Sequence, residues 1–215
     1  MLLVGSLIGA NVGVYLAMNS SPRAMAWVTQ HAVCTPRAFA EGRSETLLFS
    51  SFVHGSLSHL AVNMIAVAAF APPLVSLMGS GHFAVLYCAS AVLAASAHIA
   101  QQSLTMRRTS NPVERQLARN YGVIGASGAV MGLAGMFCMQ FPKARMYLLF
   151  VLPVPTWLIV PGLICFDLFM LGRNPDDSVS RVSHLAGATV GVLAFFVERR
   201  FRPHLFRRPF FRLFK

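Results

Sequence analysis

The sequence predicts an all-α, polytopic membrane protein built as a bundle of six transmembrane helices. Of its 215 residues, 55% are hydrophobic and only 12% are charged, whereas about 25% of the residues in a typical soluble domain are charged. The apolar residues form long blocks, several of which approach the roughly 20 residues that a helix needs to cross the hydrocarbon core of a bilayer. The length suits a single domain.

Polar or basic segments separate the six apolar blocks. The first block lacks the basic start of a signal peptide, so we expect a membrane helix there, exposed by removal of an upstream segment. Proline and small polar residues end this helix and the later ones, because they cannot continue a helix. The predicted spans are residues 1–18, 51–78, 82–100, 121–141, 157–171 and 183–197.

Three further segments are predicted to lie outside the spans. Residues 23–50 mix aromatic and charged side chains, which indicates a loop in the membrane interface with Trp27 at headgroup level. Residues 101–120 predict a basic, solvated loop. Residues 199–215 predict a basic, aromatic tail on the membrane surface, in contact with anionic lipid and distinct from a membrane domain at residues 1–198.

The formal net charge of +11 indicates membrane surfaces and not nucleic acid, because the Lys and Arg residues lie in the loops and the tail. Six spans place both termini on one side of the membrane. Nine of the 18 Lys and Arg residues fall on each side, so the positive-inside rule gives a tie. Their concentration in the tail favours termini on the inside.

No metal site or cofactor is predicted. The four cysteines are scattered without a Cys-x-x-Cys pair, and we expect buried thiols. A His-Glu-x-x-His motif is absent, which excludes a zinc protease of that type. An aspartyl protease needs two aspartates, and only Asp167 falls within a span. We expect Asp167 to pair with a polar neighbour near a helix end, because a lone buried charge is costly.

The fourth span is rich in glycine around Ser127, with Gly125 two residues before it and Gly128 directly after it. A glycine costs a helix about 1 kcal/mol relative to alanine. In a membrane, close approach of a neighbouring helix offsets this cost. The pattern fits either a packing face with an incidental serine or a nucleophile whose base is carried by the neighbouring helix.

The sixth span supplies a candidate base in His184 near its start. Glycines three and seven residues later make one small-residue face, which predicts close packing against the fourth span. That contact would bring the His184 imidazole to the Ser127 hydroxyl. The glycines predicted to form the contact are Gly128 and Gly132 on the fourth span, and Gly187 and Gly191 on the sixth.

The second span begins with further polar residues. His59 and Asn63 are four residues apart and share one helix face. They fit either hydrogen bonds between helices, worth about 0.6–2 kcal/mol, or donation to a developing oxyanion. His54 lies at the mouth of the helix, where we expect it to brace the loop. Four serines fit either helix caps or the walls of a water-filled pocket: Ser56, Ser58, Ser180 and Ser183.

Taken together, these motifs resemble the rhomboid family of intramembrane serine proteases from about Phe49 to Val197. The resemblance implies a six-helix core with a Ser127–His184 dyad and no third carboxylate. It also implies an oxyanion hole formed by His59, Asn63 and the Ser127 backbone N–H. The motifs are His54-x-Ser56-x-x-His59-x-x-x-Asn63, Gly125-x-Ser127-Gly128, His184-x-x-Gly187-x-x-x-Gly191 and Phe166-Asp167-Leu168-Phe169.

Cys34-Thr35-Pro36 and the second-span motif look most like the mitochondrial presenilin-associated rhomboid-like group. That resemblance implies a mitochondrial inner-membrane endopeptidase that cleaves single-span substrates in or near their transmembrane helices. The group carries an extra helix ahead of the core, which we do not expect in this sequence. Two alternatives remain: a pseudoprotease of the same fold that binds clients without cleaving them, and a small transporter, which would need internal repeats and charged midplane residues.

Overall fold

The computed structural model describes residues 2–148, 152–173 and 180–206. Short 3₁₀ turns occupy Ser50–Phe52 and Pro203–Phe206, and an antiparallel hairpin pairs β1 (Arg145–Leu148) with β2 (Leu152–Pro155). The α-helices in these ranges are α1 (Leu2–Met18), α2 (Pro22–Ala32), α3 (Pro36–Ala40), α4 (Thr46–Phe49), α5 (Leu57–Met78), α6 (Ser80–Arg108), α7 (Pro112–Asn120), α8 (Ser127–Gln140), α9 (Thr156–Arg173) and α10 (Arg181–Phe201).

The predicted all-α membrane fold is confirmed. Helices α5, α6 and α10 are long and apolar enough to cross a membrane, while α1, α8 and the Thr156–Leu171 part of α9 are shorter apolar helices. The exact number of six spans stays a prediction, because the shorter helices fall below the length of a full crossing.

Two predicted helix starts are wrong. Helix α5 begins at Leu57, because the Ser56 hydroxyl accepts the His59 backbone N–H and caps it. Helix α8 begins at Ser127 and not at residue 121, because residues 121–126 bond to other parts of the chain. Ser127 is therefore the first residue of its helix, whereas the sequence predicted a serine about five residues inside one.

The basic loop predicted at residues 101–120 is also wrong. Helix α6 continues to Arg108, and α7 forms after a short turn. Asn111 caps α7 through its side chain, and Pro112 occupies the first turn, where a missing N–H costs nothing. The predicted tail boundary falls inside α10, which runs on to Phe201; residues 207–215 lie outside the described ranges.

Helix α8 is the centre of the bundle. Its residues are buried without interruption from Gly128 to Cys138. A side chain at Gly187 would overlap the Gly128 carbonyl, and one at Gly191 would overlap the Gly132 carbonyl. The glycine faces that the sequence predicted therefore meet backbone to backbone, with α8 and α10 side by side and running in the same direction.

This contact gives a first prediction. We expect Gly191→Ala to destabilise the protein by about 1–3 kcal/mol, because the added methyl group has no space against the α8 backbone. The matched control is Gly9→Ala on α1, where an added Cβ meets nothing within 4 Å and helix propensity favours alanine. Thermal unfolding in detergent measures both variants. An unchanged midpoint for Gly191→Ala would contradict the close α8–α10 contact.

Candidate active site

Ser127 and His184 lie near the starts of α8 and α10, two helices that pack backbone to backbone. Ser127 is the first residue of α8, and His184 is in the first turn of α10. The contact of Gly187 with the Gly128 carbonyl holds these two helix starts side by side. Both side chains are partly buried, so each lies near the surface of the bundle and not in its sealed centre.

Asp167 on α9 holds the imidazole of His184. The His184 Nδ1 donates to Asp167 Oδ2 over 3.0 Å, and Arg181 donates to Asp167 Oδ1 over 3.0 Å. A carboxylate only accepts hydrogen bonds, so Nδ1 carries a proton, and in the neutral imidazole the lone pair is then on Nε2. The predicted polar partner for Asp167 is confirmed, and the implied absence of a third carboxylate is wrong.

The segment before Ser127 is fixed to three neighbouring elements. The Val123 N–H donates to the Cys34 carbonyl over 2.9 Å, and the Gly125 N–H donates to the Ser50 carbonyl over 2.9 Å. The Ala126 N–H donates to His54 Nε2 over 3.3 Å. These bonds tie the chain just before the serine to other parts of the protein, which explains why α8 starts where it does.

His54 is fully buried just before α5, outside the spanning helix. Burial, helped by the nearby His59, lowers the pKa of His54 to about 4. The ring is therefore neutral at neutral pH and can accept the Ala126 N–H. His54 thus joins the mouth of α5 to the residue directly before Ser127.

His59 and Gly125 are in close contact. Gly125 has a φ of +103°, a conformation that favours glycine. A Cβ at this position would lie 2.5 Å from Cε1 of His59. The glycine therefore makes room for the imidazole beside the start of α8.

Asn63 is buried one turn further along α5, and its Nδ2 donates to the His59 carbonyl over 2.9 Å. An amide nitrogen carries two N–H donors, so a second one remains for another acceptor. The bond seen here is within the helix and does not reach Ser127.

The N-terminus of α8 is a site suited to negative charge. Its cap residue is Ala126, which has no side-chain oxygen to accept a backbone N–H. The first N–H groups of any helix lack partners within the helix and carry partial positive charge. The Ser127 N–H is one of these groups, and it belongs to the same residue as the candidate nucleophilic hydroxyl.

A cavity of about 20 Å³ adjoins Ser127. A space of roughly 10–15 Å³ holds one water molecule when polar partners line it. Ser50, Ser51 and Ser183 are in its lining, together with alanine and glycine residues and Ser127 itself. The serine therefore has an adjacent space of the right size for one water.

His98 on α6 is a further residue of this region, which the sequence did not single out. It is fully buried, its Nε2 donates to the Tyr121 carbonyl over 3.0 Å, and its Nδ1 lies 3.0 Å from Ser180 Oγ. The Ser180 hydroxyl also contacts the Ser183 hydroxyl, which donates to the Ala94 carbonyl over 2.9 Å. A histidine within an otherwise apolar span was the available signal.

Two of the four predicted serines take the expected roles, since Ser56 caps α5 and Ser183 lines the cavity. Ser58 is exposed and contacts the Ser56 hydroxyl, while Ser180 contacts His98 and Ser183 without capping α10. Within the described ranges, no three His, Cys, Asp or Glu residues are grouped in a way that could hold a metal ion.

Residues 41–201 match the Rhomboid domain family. The chain is 32% identical over 161 residues to the mitochondrial RHOMBOID-like protein 12 of Arabidopsis thaliana, covering 73% of this chain and 47% of that protein. It is 24% identical to the chloroplastic Rhomboid-like protein 16 of the same plant, covering 90% and 61%. It is 29% identical to the mitochondrial presenilin-associated rhomboid-like protein of Rattus norvegicus, covering 68% and 36%.

The chain thus spans between about a third and three fifths of these relatives. All three are organellar by name and two are mitochondrial, which agrees with the mitochondrial membrane expected from the sequence. The similarity to the presenilin-associated rhomboid-like protein agrees with the group that the motifs indicated.

Proposed function

Because the chain belongs to the rhomboid family, whose members are generally intramembrane serine proteases, we propose that it is a serine endopeptidase with Ser127 as nucleophile and His184 as general base. One observation carries the proposal. The contact of Gly187 with the Gly128 carbonyl brings the start of α8, which carries Ser127, beside the first turn of α10, which carries His184, and His184 Nδ1 bonds to Asp167. The imidazole therefore has its basic Nε2 available for the serine proton.

In the proposed reaction, Ser127 Oγ attacks the carbonyl carbon of the scissile peptide bond as its proton passes to His184 Nε2. Negative charge then develops on the carbonyl oxygen. The uncapped start of α8 supplies the Ser127 N–H, and His59 over Gly125 and the second N–H of Asn63 supply further donors. His184 next gives its proton to the leaving amine, which breaks the C–N bond and leaves an acyl-serine.

Deacylation needs one water and a base. His184 Nε2 takes a proton from this water as its oxygen attacks the acyl carbon, and the same proton returns to Ser127 Oγ. The cavity beside Ser127 is of the right size to keep one water within the bundle. Such a store is useful because the surrounding lipid excludes bulk water from the reacting groups.

The proposed substrates are single-span membrane proteins cleaved in or near their transmembrane helix. A helical peptide bond is shielded, so the substrate must unwind locally before Ser127 can reach it. Helix-breaking residues lower that cost, because unwinding in lipid leaves backbone groups without partners. The proposed location is the mitochondrial inner membrane. Because one relative is chloroplastic by name, organelle fractionation is the direct check of this location.

A fluorophosphonate probe in detergent tests the proposal. Ser127 Oγ attacks the phosphorus, fluoride leaves, and a stable phosphonyl-serine forms. We expect labelling of the wild type and none in Ser127→Ala or His184→Asn, because both the nucleophile and its base are needed. Labelling unaffected by either change would contradict the assignment. An unlabelled wild type would favour a pseudoprotease that binds membrane helices without cleaving them.

A further inference from the structure

Helix α7 and the end of α6 form a basic, amphipathic surface that the catalytic proposal does not use. We call it the α7 surface and define it by four arginines and two apolar side chains: Arg107, Arg108, Arg115, Arg119, Val113 and Leu117. All six are exposed, and Val113 and Leu117 have 66% and 67% of their surface accessible. The segment is therefore a folded feature with a distinct surface, unlike a solvated loop.

The orientation of α7 is fixed. Ala118 is buried and marks the side of the helix that packs on the protein. At 100° per residue, Leu117 and Val113 lie about 100° and 140° to one side of Ala118, whereas Arg115 and Arg119 lie about 60° and 100° to the other. The apolar and basic residues thus occupy opposite flanks, which is the pattern of a helix lying in a membrane interface.

The depth of α7 follows from α6. Exposed apolar residues on α6 run from Val85 to Leu104. The 19 residue steps from Val85 to Leu104 rise about 29 Å, close to the roughly 30 Å of a hydrocarbon core. Arg107 lies three residues after Leu104, which places Arg107 and Arg108 at headgroup level, and α7 begins four residues after Arg108.

One acidic residue of α7, Glu114, is bonded to neighbouring side chains. Glu114 accepts hydrogen bonds from Thr109 and Asn111 in the turn that caps α7. Arg115 donates to the Thr109 carbonyl over 3.0 Å and keeps other guanidinium N–H groups. Toward the described part of the chain, Arg107, Arg108 and Arg119 form no salt bridge. The surface therefore carries a net positive charge at the depth of the lipid phosphates.

We propose that the α7 surface binds anionic phospholipid headgroups, with Val113 and Leu117 inserted among the upper acyl chains and the arginines on the phosphates. Two apolar side chains are too few for the core of a stable protein interface, which buries roughly 800 Å² per partner. Two apolar side chains are enough for a helix that lies in the membrane interface, because lipid covers its apolar flank. This inference stands independently of the catalytic proposal.

The test places a reporter on α7 by Val113→Trp in the full chain after Trp27→Phe and Trp157→Phe remove the two native tryptophans. Vesicles of phosphatidylcholine receive the same small fraction of either brominated phosphatidylglycerol or brominated phosphatidylcholine. Bromine in the upper acyl chain quenches a tryptophan that it contacts. We expect the anionic lipid to quench Trp fluorescence more strongly than the neutral one at equal fraction.

Adding Arg115→Gln and Arg119→Gln should remove this excess quenching. The control pair Arg199→Gln and Arg200→Gln, which changes two exposed arginines in the last turn of α10, should keep the excess quenching. Leu117→Trp is a second reporter if Val113→Trp does not fold. Equal quenching by both lipids would overturn the proposal, as would blue-shifted fluorescence that neither lipid quenches, which indicates a protein partner on this surface.

Discussion

Replacing Ser127 with alanine abolishes cleavage of a single-span substrate in liposomes, with an expected loss of at least about 10³-fold in rate. Alanine removes only the hydroxyl. The α8–α10 contact rests on glycine backbones, and the segment before Ser127 is held by backbone groups and His54. The free energy of unfolding should therefore change by only about a few tenths of a kcal/mol, and the thermal midpoint by about 1 °C.

The matched control for this change is Ser58→Ala. Ser58 is an exposed serine near the start of α5, at the mouth of the same site, and its hydroxyl contacts Ser56. Its removal should leave the cleavage rate nearly unchanged. Cleavage by Ser127→Ala at a rate near that of the wild type would show that another group acts as the nucleophile.

Asp167→Asn is expected to lower kcat by up to about 10⁴-fold, the loss seen when the carboxylate that orients the catalytic histidine of a serine protease is neutralised. An asparagine N–H facing His184 Nδ1 would force the proton onto Nε2. The imidazole could then no longer accept the serine proton. Fluorophosphonate labelling measures the reactivity of Ser127 without substrate binding, and substrate cleavage in liposomes measures kcat.

A purely structural role for Asp167 must be separated from this effect. Asp167 and Arg181 are both buried and bonded to each other, so neutralising Asp167 breaks a buried ion pair, which costs about 3–5 kcal/mol. The double variant Asp167→Asn with Arg181→Gln removes both charges. We expect it to regain thermal stability without regaining kcat. Recovery of both together would mean that Asp167 acts only as the partner of Arg181.

The glycine pattern shows how far sequence reasoning reaches for this site. Small residues at helical spacing in a membrane span have few explanations other than close helix contact. The contact between Gly128 and Gly187 could therefore be predicted, and with it the approach of the two helix starts that carry Ser127 and His184. The same reasoning left the role of Asp167 open, because a carboxylate needs a partner but its sequence position does not identify which one.

The sequence by itself determined the membrane class, the helical bundle, the glycine-lined pair of helices and the polar residues to examine. Hydropathy and residue size act locally along the chain, so they can be read without coordinates. Only the tertiary structure decided where α8 begins, which carboxylate holds His184, that His98 braces the site, that His54 bonds to Ala126, and that residues 112–120 form an oriented helix. These features depend on hydrogen bonds and packing between segments distant in sequence, and a linear pattern of residue types does not encode such pairings.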